Sequence, residues 1–185
     1  MTLDEIFAVS RRAVCLHTEA EVEAAIAALA DQVSAVLKFR NPLLLCLMNG
    51  GLIFSGKLLT KLHFPLQVDY LHATRYRNKT HGSDLEWHRF PEISMNGRDV
   101  LVLDDILDEG ATLSAVVNHC RSRGATDVLT AVLVDKLHER KVEGIKADFV
   151  GLNVEDRYIY GYGMDYHGYL RNAAGIFAVD QSDCD

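Results

Sequence analysis

The sequence predicts an α/β domain with a mostly parallel central sheet flanked by helices, and three observations carry that expectation. Unbroken apolar runs, "LLLCLM" at residues 43–48 and "VLVL" at 100–103, read as strands buried on both faces, the habit of parallel sheets. Segments with helical spacing of apolar residues alternate with such runs. Turn-forming or helix-opening residues follow both runs directly, "NGG" after the first and "DDILDEGAT" after the second.

Taken in order, Thr18 and Glu21 form a capping box. Val22, Ile26, Leu29, Val33 and Val36 then recur at steps of four and three, a helix that stops before Pro42. The strand at 43–48, the NGG turn and a short helix over 52–62 come next. Residues 67–73 read as a strand, and "TRYRNKTHGSDLEWHRFPE" shows no clean period, so a loop or an irregular hairpin is expected. After the strand at 100–103, Leu113, Val116, Val117 and Cys120 mark one helix face, and Gly124 ends that helix. Residues 128–134 and 149–154 are two further strands. No repeat or Pro/Gly/Ser linker divides the chain, so residues 1–185 are expected to form one domain.

Composition narrows the class. With 49% apolar and 24% charged residues the chain resembles ordinary globular proteins, and a net charge of −7 argues against a nucleic-acid surface. No apolar run is long enough to span a bilayer. The start "MTLDEIF" lacks the basic residues and apolar stretch of a signal peptide, so a reduced, cytoplasmic protein without membrane or nucleic-acid partners is expected. The four cysteines form no CxxC, and three stand in apolar contexts that suit small core residues.

The chemistry concentrates in "VLVLDDILDEGATL", with carboxylates at Asp104, Asp105, Asp108 and Glu109. A single Asp there would be a turn former or a cap. Four acids between a buried strand and a helix start ask for more. Free N–H groups at the start of the helix, opened by Gly110, Ala111 and Thr112, suit a phosphate. Carboxylates beside them suit hydroxyls, or a magnesium ion carried by phosphates. A ribose 5-phosphate would use both.

This stretch resembles the phosphoribosyl diphosphate (PRPP) signature of type I phosphoribosyltransferases. Further matches to the hypoxanthine-guanine branch cover most of the chain: "NGG", "TRY", "LVDKL", "DFVG" and "YIYGYGMDYHGYLRN". The resemblance implies the fold of that family, with a small hood formed by terminal segments, and transfer of a phosphoribosyl group from PRPP to a 6-oxopurine with Mg2+. It implies that Asp104 and Asp105 hold the ribose hydroxyls, partly through magnesium, and that Asp108 is the acid/base group facing the purine N7. The turn through Asp108, Glu109, Gly110, Ala111 and Thr112 would cradle the 5-phosphate. Asn49, Gly50 and Arg171 would meet pyrophosphate. Lys136 would bond the 6-oxo group, Tyr158 would stack on the base, and the Ile159 backbone would touch its edge. Asp165, near the base, would ligand a second magnesium. Arg75 and Tyr76 would stand at the base of a closing loop. A homodimer or homotetramer is implied as well.

Two departures stand out. The family often has a basic residue where Asn49 stands, after a cis peptide, and many members have a hydroxyl residue where Glu109 stands. The histidines show no ligand spacing and are assigned nothing. A PRPP-sensing regulatory protein on the same fold is the alternative; joint retention of Asp108, Lys136 and Asp165 favours an enzyme. A sugar-phosphate kinase would need a Gly-rich nucleotide loop with its lysine, and the sequence has none.

Overall fold

Six strands form the central sheet in the order β4-β3-β2-β5-β6-β7, parallel throughout except for the β3–β4 hairpin. The computed structural model describes residues 1–75 and 85–184. In chain order its elements are α1 (Leu3–Arg12), β1 (Val14–Thr18), α2 (Glu19–Leu37), β2 (Leu43–Met48), α3 (Gly51–Leu59), β3 (Gln67–Arg75) and β4 (Leu85–Arg89). They continue with β5 (Asp99–Leu107), α4 (Ala111–Ser122), β6 (Asp127–Leu137), β7 (Phe149–Glu155), β8 (Ile159–Tyr160) and β9 (Gly175–Ala178).

The helices cover both sheet faces, as a parallel sheet requires. On one face α2 and α3 bury Val22, Ile26, Leu29, Val33, Phe54 and Leu58 against Leu44, Leu101, Leu103 and Leu133. On the other, Leu113, Val116, Val117 and Cys120 of α4 pack on Leu45, Val100, Val102 and Val132. The capping box of Thr18 and Glu21 is present. Val36 is exposed and Leu37 is fully buried in its place, because steps of four keep the stripe on the core side.

Topology positions the site. From β2 the chain moves outward to β3, then crosses back to place β5 on the other side of β2. Connections therefore leave β2 and β5 in opposite directions, opening a crevice at their C-terminal ends. The NGG turn follows β2, and the acidic segment lies at the end of β5.

A second, three-stranded antiparallel sheet, β1-β9-β8, joins segments from near both ends of the chain. Val9, Tyr160, Tyr166 and Val179 make its small core. This is the expected hood.

Several boundaries differ from expectation. β5 runs four residues past Leu103 and carries Asp104 and Asp105 within the strand, paired alongside β6. α3 ends at Leu59, three residues early, whereas Gly124 closes α4 as expected, just past the Arg123 cap with a positive φ. The irregular hairpin is the better of the two readings of the polar segment, since β4 returns antiparallel to β3 with a register shift. Tyr76 and most of the expected closing loop lie outside the described residues, as does the side chain of Arg75. Two cysteines, not three, are core residues: Cys46 and Cys120 are buried, while Cys15 lies exposed on the small sheet and Cys184 is exposed near the C-terminus.

Candidate active site

A cleft of about 500 Å3 opens at the crevice between β2 and β5. Its floor is the end of β5, where Asp104 and Asp105 are only 9% and 6% exposed. Burial, reinforced by Asp105, pushes the Asp104 carboxyl well above the usual range. Burial also raises Asp105, although hydrogen bonding with Asp104 and the nearby Arg171 charge pull it back. The Asp105 N–H donates to Asp104 Oδ1 at 3.0 Å. Two such acids are costly for the fold, and strands rarely carry them without use.

That cost predicts an outcome. Asp104→Asn keeps the oxygen that accepts the Asp105 N–H and removes one buried charge. Its melting temperature in metal-free buffer at neutral pH should therefore rise by ~2–4 °C for each kcal/mol relieved. A carboxyl with a raised folded pKa destabilises only when ionised, so the gain should vanish as pH falls below the ordinary carboxylate range. Thermal melts at neutral and acid pH check this, and an unchanged or lower neutral melting temperature would refute it.

Gly50 forms the wall beside Asp105. A Cβ there would lie 2.3 Å from Asp105 Oδ2, so any larger residue would displace the Asp105 carboxylate. The neighbouring Met48–Asn49 peptide is cis, and Asn49 and Gly50 both line the cleft. At the other end Gly110, with φ +83°, caps α4, whose first N–H groups face outward at the helix start. Ala111 begins that helix, while Asp108, Glu109, Gly110 and Thr112 line the cleft around it. The first turn of α4 holds no acid, which suits an incoming anion.

The residues expected to meet the purine also converge. Lys136 near the end of β6 is 8% exposed and donates to Asp108 Oδ2 at 2.8 Å. Tyr158 and Ile159 line the cleft, with Tyr158 packed on the Tyr166 ring at 5.4 Å. Asp165 and Arg171 come from the hood and pair with each other at 2.6 Å. Arg171 also donates to the Gly163 carbonyl. The two residues expected to meet metal and pyrophosphate are thus each other's partners in the ligand-free protein.

One contact was missed from the sequence. His138, with its side chain only 4% exposed, stands 2.6 Å from Asp108 Oδ1 through Nε2. Burial alone would raise the Asp108 carboxyl, but hydrogen bonds from Lys136 and His138 outweigh it and hold the group below the usual range. Strand alternation puts residues two apart on one side, so His138 beside Lys136 was a readable signal.

Residues 16–167 match the phosphoribosyl transferase domain. The chain belongs to the phosphoribosyltransferase family. Within that family its relatives fall in the hypoxanthine-guanine branch. It is 30% identical to the hypoxanthine-guanine-xanthine phosphoribosyltransferase of Tritrichomonas foetus, over 90% of this chain and 91% of that one. It is 34% identical to the hypoxanthine-guanine phosphoribosyltransferase of Bacillus subtilis (strain 168), over 85% and 87%. A solved hypoxanthine-guanine-xanthine phosphoribosyltransferase superposes with a TM-score of 0.83 at 28% identity, covering 91% of this chain and 97% of that one. The matched residues span the central sheet and the acidic segment. No helix among the described residues is long and apolar enough to cross a membrane.

Proposed function

We propose that this phosphoribosyltransferase transfers the 5-phosphoribosyl group of PRPP to hypoxanthine or guanine, forming IMP or GMP and pyrophosphate in cytoplasmic purine salvage. The observation that carries the reading is the convergence of three features in one cleft: the buried Asp104–Asp105 pair, the open start of α4, and the Lys136–Asp108 pair. Each suits one part of the two substrates.

The α4 start and the Glu109–Thr112 backbone hold the 5-phosphate, and Asp104 with Asp105 holds the ribose hydroxyls. Asn49 and Gly50 offer amides to the pyrophosphate, and Arg171 brings a cation once it exchanges Asp165 for substrate. Lys136 exchanges Asp108 for the 6-oxo oxygen, with Tyr158 against the ring and the Ile159 backbone at its edge. That exchange frees Asp108 Oδ2 for the N7 proton. As the C1–O bond to pyrophosphate breaks, a ring nitrogen bonds to C1 and Asp108 takes the ring proton.

Magnesium fits these residues. Among the described residues no cluster of three or more His, Cys, Asp or Glu could hold an ion alone, so the ion would take most ligands from PRPP and water. Asp104, Asp105 and Asp165 are the protein groups that would hold it, and a cation would relieve the repulsion between the first two. When bound it neutralises charge on the leaving pyrophosphate.

Incubation with PRPP, Mg2+ and hypoxanthine, followed by detection of IMP and pyrophosphate, tests the reading. Tight PRPP binding without product would favour the sensor instead.

The Glu109 departure has a defined consequence. A carboxylate ~6 Å from the phosphate would repel it by about 1–3 kcal/mol if it faced the site. The expectation is that the backbone, not the side chain, serves the phosphate. Glu109→Thr should then tighten PRPP only a few-fold in a binding titration, with kcat nearly unchanged. A hundred-fold gain would mean that the carboxylate faces the phosphate.

A homodimer or tetramer is supported by an apolar groove between α3 and β3, beside the pyrophosphate turn. Met48, Leu52, Leu59, Val68 and Tyr70 line it, and Leu52 is 54% exposed. Light scattering should give at least twice the 20.6 kDa chain mass. A fully active monomer at micromolar concentration would refute this.

A further inference from the structure

We propose that His138 is a positioning residue for Asp108, holding one carboxylate oxygen so that the other is presented to the incoming base. The base is named by the transfer reading; the geometry stands without it. In the free protein Lys136 Nζ lies 2.8 Å from Oδ2 and His138 Nε2 lies 2.6 Å from Oδ1. Both oxygens are therefore occupied, but by unequal partners.

Lys136 ends a flexible chain and has a second carboxylate, Asp156, at 4.0 Å, so it can leave Asp108 without losing all compensation. His138 has no such freedom. Its buried ring accepts the Arg140 backbone N–H at Nδ1, 3.1 Å away. An amide N–H donates only to an unprotonated nitrogen, so the ring proton sits on Nε2 and Nε2–H donates to Asp108 Oδ1. The segment carrying this contact is tied down in turn. The Arg140 guanidinium binds Asp156 at 2.5 and 3.0 Å, and the Val142 N–H donates to the Glu109 carbonyl at 2.8 Å.

The charged and titratable groups around Asp108 are thus Lys136 and His138 in contact, with Arg140, Asp156 and Glu109 beyond them. When Lys136 turns to the base, Oδ2 is the oxygen released. The ring N–H bond then breaks, an O–H bond forms at Oδ2, and the electron pair stays with the base. His138 keeps its Nε2–H donated to Oδ1 throughout. Its hydrogen bond favours the ionised carboxylate, which is the form able to accept that proton.

Histidine-selective 15N labelling tests the geometry whether or not the protein turns over. The expected result is a His138 ring that carries a proton at Nε2, with its signals moved by Asp108→Asn. A ring with no proton at Nε2, or signals unmoved by Asp108→Asn, overturns the proposal. The second readout is kcat/KM against pH with hypoxanthine. His138→Leu should move the acid limb up by about one pH unit and lower kcat ~10-fold, with KM for PRPP little changed. His138→Gln, whose amide N–H reaches the place of Nε2–H, should keep the limb close to its original position. A His138→Leu profile that superposes on the unsubstituted one overturns the proposal, as does His138→Gln impairment equal to that of a folded His138→Leu. If the Leu variant does not fold, a displaced Gln limb overturns it. Absence of turnover by the unsubstituted protein with any 6-oxopurine refutes the transfer reading alone, and the labelled ring still decides the place of His138.

Discussion

Asp108→Asn should lower kcat by ~10²-fold or more while leaving the fold nearly as stable as before. Asparagine keeps the size and one acceptor oxygen, but it cannot take a proton from the base. Its amide group would also face at least one donor, since Lys136 and His138 claim both positions. The stability cost is small because the Asp108 side chain is 44% exposed and Lys136 retains Asp156 nearby. Steady-state kinetics beside thermal melts separate the two effects. Near-normal kcat with a normal melt would remove Asp108 from the chemistry.

Adenine should be rejected against hypoxanthine by ~10⁴ or more in kcat/KM. The reason is the donor-only character of Lys136. A 6-oxo group accepts its proton, whereas a 6-amino group presents donors to a donor. The penalty is large because Lys136 is nearly buried and its only close carboxylates are Asp108 and Asp156 among the described residues. With adenine bound, Lys136 would stay on Asp108 and keep Oδ2 occupied, so recognition and proton transfer would fail together. Competition assays with both bases measure the ratio. Comparable turnover of adenine would sink the assignment of Lys136.

The central sheet was legible because burial on both faces writes itself as unbroken apolar runs, as at Leu43–Met48. Where charge interrupts such a run the reading stopped too soon. Asp104 and Asp105 looked like the end of a strand, yet β5 continues to Leu107. The acids are tolerated there for the site, against local preference. The small sheet was not legible strand by strand: β8 has two residues and β9 four, too few for a period, and their pairing depends on partners far away in sequence. The side of the strand that His138 shares with Lys136 was legible, but its partner, 30 positions earlier, was not. Family resemblance supplied Asp165 and Arg171, which composition would have left as surface charges. It could not supply their mutual pairing, which is a property of the folded, ligand-free chain.

The pairing of β1 with β9 has a consequence for how the protein is made. Val14 meets Ala178 and Thr18 meets Gly175, so β1 waits for a strand synthesised only after the whole central sheet. Contacts between such distant segments form late, because a long loop must close before they are rewarded. During translation the central sheet can assemble from β2 onward while β1 remains without its strand partner. Asp165 and Arg171, which line the cleft, lie between β8 and β9 and so follow the central sheet in synthesis. A growing chain therefore exposes an incomplete crevice until β9 is made and pairs with β1.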